Sequence, residues 1–106
     1  MKDIQQYFNK YNKQYFGGKL PKVKIYLAPK KFKAIASIDE YRDDKNKAYF
    51  KIQISRSAMD CGFRIASIAL LHEMTHLSVG LEHQHDKVYQ RAKRKLILAG
   101  AYDDLL

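Results

Sequence analysis

Ile65 to His76 reads I-A-S-I-A-L-L-H-E-M-T-H, an apolar run that ends in two histidines four residues apart, with a glutamate directly after the first. A helix turns about 100° per residue, so positions four apart stack on one face. His72 and His76 can therefore share one ion, and the seven residues before them supply the apolar stretch that buries a metal-bearing helix. Glu73 lies beside them on the wheel. It is too far round to be a third ligand but near enough to reach a metal-bound water, which is the place of a general base. Catalytic zinc takes three protein ligands and keeps one position open, because its water must be free to lose a proton and attack. The pattern therefore demands a third ligand.

Beyond His76 stand His83 and His85. Gly80 is a natural helix stop, after which the chain can reverse and bring a second helix back to the ion. From His85 to Ala99, the residues His85, Val88, Tyr89, Ala92, Leu96 and Ala99 form an amphipathic stripe, and His85 belongs to it. His85 is thus the expected third ligand, and His83 would ligate only through a tighter turn. Glu82 is a legitimate ligand by chemistry and next in line, though it reads first as a solvated loop charge. Asp86, in the first turn, reads as a cap at the positive end of the helix dipole. Tyr89 is an oxyanion candidate by its proximity to His85, with packing as its plainer role.

Upstream, Asp3 can cap a helix in which Ile4, Tyr7, Phe8, Tyr11 and Tyr15 recur on one face until Gly17 and Gly18 end it. Val23, Ile25 and Leu27 alternate with polar neighbours as in a strand with one buried face, closed by Pro29. Ala34 to Tyr41 reads as a second strand and D-D-K-N-K as a turn. Ala48 to Ile54 reads as a third strand with Ala48, Phe50, Ile52 and Ile54 inward, so the last two strands suggest a hairpin. The metal helix is expected from about Asp60 to Val79. This order predicts an α+β domain: an N-terminal helix, a three-stranded sheet, the H-E-x-x-H helix, and a C-terminal helix carrying the third ligand. No signal-peptide pattern, repeat or linker is visible, and one domain over residues 1–106 is expected.

With these parts placed, the chain resembles the SprT-like metalloprotease domain, the zincin group that includes the DNA-protein crosslink proteases called Spartan. The likeness rests on Y-F-G-G-K-L-P (Tyr15 to Pro21), on H-E-M-T-H, and on H-D-K-V-Y (His85 to Tyr89), where a histidine precedes an aromatic by four residues. It spans about Ile4 to Leu98, and only the zinc pentapeptide is specific alone. The resemblance implies that His72, His76 and His85 hold Zn2+ and that Glu73 is the base, the same four that spacing selects. Nine positions separate His76 from His85, fewer than in many members, and Asp86 stands where Gly or Asn is common. The cysteine-rich zinc ribbon of many bacterial relatives is not expected within these residues, which hold one cysteine, Cys61. Cys61 lies three helical turns before His72 and reads as a buried, inert thiol.

Twenty Lys and Arg against eleven Asp and Glu give a formal net charge of +9. Polyanions are plausible partners for such a chain. The charge gathers at Lys19, Lys22, Lys24, Lys30, Lys31 and Lys33, and on the last helix at Lys87, Arg91, Lys93, Arg94 and Lys95, where a solvated face explains it as well as DNA does. No stretch is long and apolar enough for a membrane span, and one unpaired cysteine suits a reducing, cytoplasmic compartment. The expected function is a zinc endopeptidase that cuts a protein or peptide by a zinc-activated water with Glu73 as base, with DNA-associated proteins as one substrate class. The alternatives are a nucleic-acid-associated adaptor with weak or no proteolysis and a zinc hydrolase of a non-peptide bond.

Overall fold

A computed structural model describes residues 4–28, 35–60 and 62–103 of the chain. The expected cap Asp3, the strand end Pro29, the basic residues Lys30, Lys31 and Lys33, the strand start Ala34, Cys61 and the last three residues lie outside the described residues.

The elements run α1 (Ile4–Tyr15), β1 (Val23–Leu27), β2 (Ala36–Arg42), β3 (Ala48–Ile54), α2 (Arg56–Asp60), α3 (Phe63–Val79) and α4 (Lys87–Leu98), an α+β fold. The three strands form one sheet in the order β1-β3-β2. β2 and β3 make the expected antiparallel hairpin, with Ile38 opposite Ile52, while β1 pairs with β3 in parallel. The hairpin turn is built by Asp43, whose Oδ1 accepts from the backbone N–H groups of Lys45 and Lys47, each at 2.9 Å.

One face of the sheet is apolar, and it packs on the helices. Ile52 and Ile54 are fully buried there, with Phe50, Ile25, Ala36 and Ile38 against them. Leu27, expected inward, is 44% exposed because it sits at the end of β1. From α1, Phe8 and Tyr11 enter the core with Ile4, Tyr7 and Tyr15 around them, as the stripe predicts. The Asn12 side chain then brackets Leu20: its Oδ1 accepts from the Leu20 N–H at 3.1 Å and its amide donates to the Leu20 carbonyl at 3.4 Å. That clamp sets the entry into β1.

α3 is the central element. Leu70, Leu71, Met74 and Thr75 are wholly buried on it and Ala66 nearly so, which is the burial expected of a helix apolar on most sides. Its start differs from the expected one near Asp60. A short α2 comes first, opened by Ser55, whose hydroxyl accepts from the Ala58 N–H at 3.0 Å, and Gly62 at φ 110° separates it from α3. Such a backbone angle is open to glycine and strained for other residues, so the chain breaks there and α3 begins at Phe63, with the whole apolar run inside it. No helix among the described residues is long and apolar enough to cross a membrane.

Ser67 is fully buried on α3, and its hydroxyl has no hydrogen-bond partner among the described residues. An unpaired buried hydroxyl costs about 1–3 kcal/mol of desolvation, and alanine is the better helix former. Ser67→Ala should therefore raise the melting temperature by a few degrees, since about 1 kcal/mol corresponds to roughly 4–8 °C in a domain near this size. A drop in calorimetric melting temperature would show that the hydroxyl has a partner worth more than its desolvation.

Candidate metal centre

His72 and His76 lie on successive turns of α3, and the chain leaves that helix at Gly80, where φ is 104° and a Cβ would stand 2.6 Å from a Glu82 carboxylate oxygen. The reversal that follows is short. α4 starts at Lys87, two residues later than the stripe predicts, so His85 is delivered from just before the helix and not from its inward face. Val88, assigned to the same stripe, is 41% exposed, while Tyr89 and Leu96 are buried. His85 takes φ 62°, a left-handed conformation in which histidine is enriched several-fold among non-glycine residues. Its ring reaches back to α3 from there.

The histidine nitrogens converge. His85 Nε2 is 3.0 Å from His72 Nε2 and 3.2 Å from His76 Nε2, and one ligand atom from each of the three residues lies within 4.8 Å of the others. Their outer nitrogens meet partners that suit the ligating tautomer, and for His76 the partner fixes it. His76 Nδ1 is 3.1 Å from the His83 carbonyl oxygen, and a carbonyl only accepts, so the proton is on Nδ1 and Nε2 faces inward with a lone pair. The Tyr89 hydroxyl lies 2.9 Å from His72 Nδ1 and 3.4 Å from the His72 carbonyl; with its proton on the carbonyl it accepts from Nδ1–H, the tautomer that leaves His72 Nε2 a lone pair as well. In those tautomers at most one proton, on His85, is left among the three converging nitrogens. A cation would complete this arrangement: tetrahedral zinc with Zn–N bonds of about 2.0–2.1 Å sets its ligand atoms about 3.3–3.4 Å apart, close to the two separations of 3.0 and 3.2 Å. The donor set fits such an ion.

The electrostatics favour the neutral rings that a metal requires. Burial, then the neighbouring His76 and His85 and Lys93, lower the His72 pKa to about 4, and burial lowers that of His76. Glu73 is 6% exposed, with no hydrogen bond to its carboxylate among the described residues. Burial first and the Asp39 charge second push its pKa up to about 7. In the metal-free protein these groups oppose each other. Between pH 4.5 and 6.5 the native state holds a proton on Glu73 that the unfolded chain has lost, which makes stability fall as pH rises. Over the same range it lacks the proton on His72 that the unfolded chain carries, which makes stability rise. His76 adds to the rise. With metal bound, none of the three rings can take a proton, so the upward slope steepens. Zinc competes with the His72 proton only as pH falls toward 4, so the gap in melting temperature between zinc-loaded and chelator-treated protein should narrow from pH 5.5 to 4, and a gap constant over that range would contradict histidine ligation.

The other residues weighed in the sequence fall outside the triad. The His83 ring turns to Asp86, Nδ1 to Oδ2 at 2.6 Å, and that carboxylate holds the His83 pKa above its usual value. Only the His83 carbonyl serves the site, through His76. Glu82 is exposed beside the His83 ring at 3.7 Å. Asp86 is the N-cap of α4, with Oδ1 accepting from the Tyr89 N–H at 3.1 Å.

Tyr89 is the residue whose role the sequence understates. It is 1% exposed, its ring lies 4.4 Å from that of His76, and its hydroxyl sits behind His72, on the side away from the converging nitrogens. From that position it orients His72 and cannot meet an oxyanion. Spacing could have flagged it, since Tyr89 follows His85 by four residues, but its partner His72 is 17 positions away in sequence. Removing such an outer partner typically weakens metal affinity 10- to 100-fold. Tyr89→Phe should show that loss in a zinc titration with little change in fold, and unaltered affinity would reduce Tyr89 to packing.

Among known proteins, a family model described as SprT-like family matches residues 4–101, nearly the whole chain. No curated protein and no solved structure matches significantly.

Proposed function

This chain belongs to the SprT-like family, and from that membership together with the histidine cluster we propose that it is a zinc-dependent endopeptidase. The observation that carries the reading is the convergence of His72, His76 and His85 at 3.0 and 3.2 Å between ring nitrogens, beside a buried Glu73 with no competing donor among the described residues. His72, His76 and His85 would hold the ion, with the His83 carbonyl and the Tyr89 hydroxyl keeping the two α3 rings in the ligating tautomer. Zinc, when bound, supplies a Lewis acid that acidifies a water and polarises the scissile carbonyl. Glu73 takes the water's proton on its carboxylate and gives it to the leaving amine nitrogen. A pKa near 7 suits a group that must do both at neutral pH. The free edge of β2 is the natural place for an extended substrate, because its outward backbone groups have no strand to pair with among the described residues.

Digestion of an unfolded protein by the zinc-loaded chain, with a chelator arm, tests this. Fragments are expected only with zinc. Intact substrate in the zinc arm would sink the reading.

A finer assignment, to proteins held on DNA, draws support from α4. Lys87, Arg91, Arg94 and Lys95 are exposed on it, with Lys93 half-buried, and a groove starting at His85 runs along Gln90, Arg91 and Arg94. This basic run leads away from the proposed reaction centre. Single-stranded DNA should bind with an affinity that falls steeply as salt rises. Absent binding at moderate salt would leave the charge to solubility and the protein as a peptidase without nucleic acid.

A further inference from the structure

Ile65, Ile68, Ala69 and His72 recur three or four residues apart on α3 and so share one stripe. The stripe faces Ile35 and the start of β2 across a cleft of about 360 Å³ that is apolar until it reaches His72 and Glu73. Its walls include two large aliphatic side chains held in water, Ile35 at 62% and Ile65 at 42% exposure. Taking such apolar area out of water is favourable, so the cleft selects for an apolar occupant.

The sheet gives that occupant a direction. β2 runs from Ala36 to Arg42 and pairs with β3 on one side only among the described residues. A strand added to the free edge is the more stable when antiparallel. α3 runs alongside β2 in the same sense, with Ile65 and Ile68 beside Ile35 and Ala36 at one end and Leu77 and Gly80 beside Glu40 at the other, so the middle of β2 lies level with Glu73 while Ala36 lines the apolar cleft. A peptide antiparallel to β2 with its scissile carbonyl at Glu73 therefore runs on toward Ala36, and the side chain entering the cleft follows the bond that is cut.

We infer that the protein cuts on the N-terminal side of aliphatic or aromatic residues, with that side chain seated between Ile35, Ile65, Ile68 and Ala69. The inference rests on the endopeptidase reading and adds its specificity.

The test is mass-spectrometric mapping of every cut made by the zinc-loaded full chain in an unfolded protein. Leu, Ile, Val, Met and Phe should follow the cut about tenfold more often than Gly, Asp or Glu, relative to their abundance, since a well-filled apolar pocket discriminates by at least that factor. Ile65→Glu should lose this preference and gain cuts before Lys and Arg. Ile35→Glu, on the more exposed wall, should shift the profile the same way and covers the case in which the first variant fails to fold. Cuts that follow substrate composition, an apolar preference only before the bond, or a wild-type profile in both variants would overturn the inference while leaving proteolysis intact. No cuts at all by the zinc-loaded wild type would overturn the endopeptidase reading, and this specificity with it.

Discussion

Glu73→Gln should lower peptide-bond cleavage about 10²- to 10⁴-fold, the range that a positioned general base contributes, while zinc stays bound at one ion per chain. The substitution keeps shape and replaces an oxygen with an amide that cannot accept and return a proton. Metal retention follows from geometry, because the three converging nitrogens belong to His72, His76 and His85 and Glu73 contributes none of them. The fold should not suffer either. Glu73 is 6% exposed and its carboxylate gains no hydrogen bond among the described residues, so the amide replaces a group already held near neutrality by burial. Initial rates on an unfolded substrate, with metal content measured on the same sample, separate the two effects. Cleavage at the wild-type rate would remove Glu73 from the chemistry. Metal lost along with activity would mean that its carboxylate supports the ion and is not merely a base beside it.

The sequence made α3 and its pair of histidines legible because both depend on local rules: a 3.6-residue period places His72 and His76 on one face, and an unbroken apolar run buries the face behind them. The β2–β3 hairpin was legible for the same reason, since Asp43 to Lys47 is a local turn between two alternating stretches. What stayed hidden is non-local. Nothing in Val23–Leu27 says that it pairs in parallel with β3, and that pairing leaves β2 without a second strand partner among the described residues. His85 was selected for a helical position it does not occupy: a left-handed backbone at one residue, with Asp86 capping the helix behind it, turns the ring inward instead. The hydrogen bond from His72 to Tyr89 and the apolar cleft between α3 and β2 arise from packing between segments far apart in the chain. Periodicity cannot report such contacts.

His76→Ala should abolish both zinc retention and cleavage, and it is the more damaging of the ligand substitutions because His76 has two jobs. Its Nε2 is one of three converging donors, and two remaining imidazoles leave a site that exchanges its ion during dialysis. Its Nδ1–H also ties α3 to the His83 carbonyl at 3.1 Å, so the loop that presents His85 loses an anchor at the same time. His76 is 5% exposed, and truncation leaves a cavity at a buried position as well as an unanswered carbonyl. A cost of roughly 1–3 kcal/mol in the metal-free protein is expected from the lost hydrogen bond alone. His83→Ala is the discriminating partner. It removes a ring that meets Asp86 and Glu82 but keeps the backbone carbonyl, so zinc content and cleavage should survive, whereas His85→Ala should lose both. Elemental analysis after dialysis, run beside melting curves with and without zinc, reads all three variants. If His83→Ala released the ion and His85→Ala kept it, the third ligand would be His83 and the loop geometry around φ 62° at His85 would need another explanation.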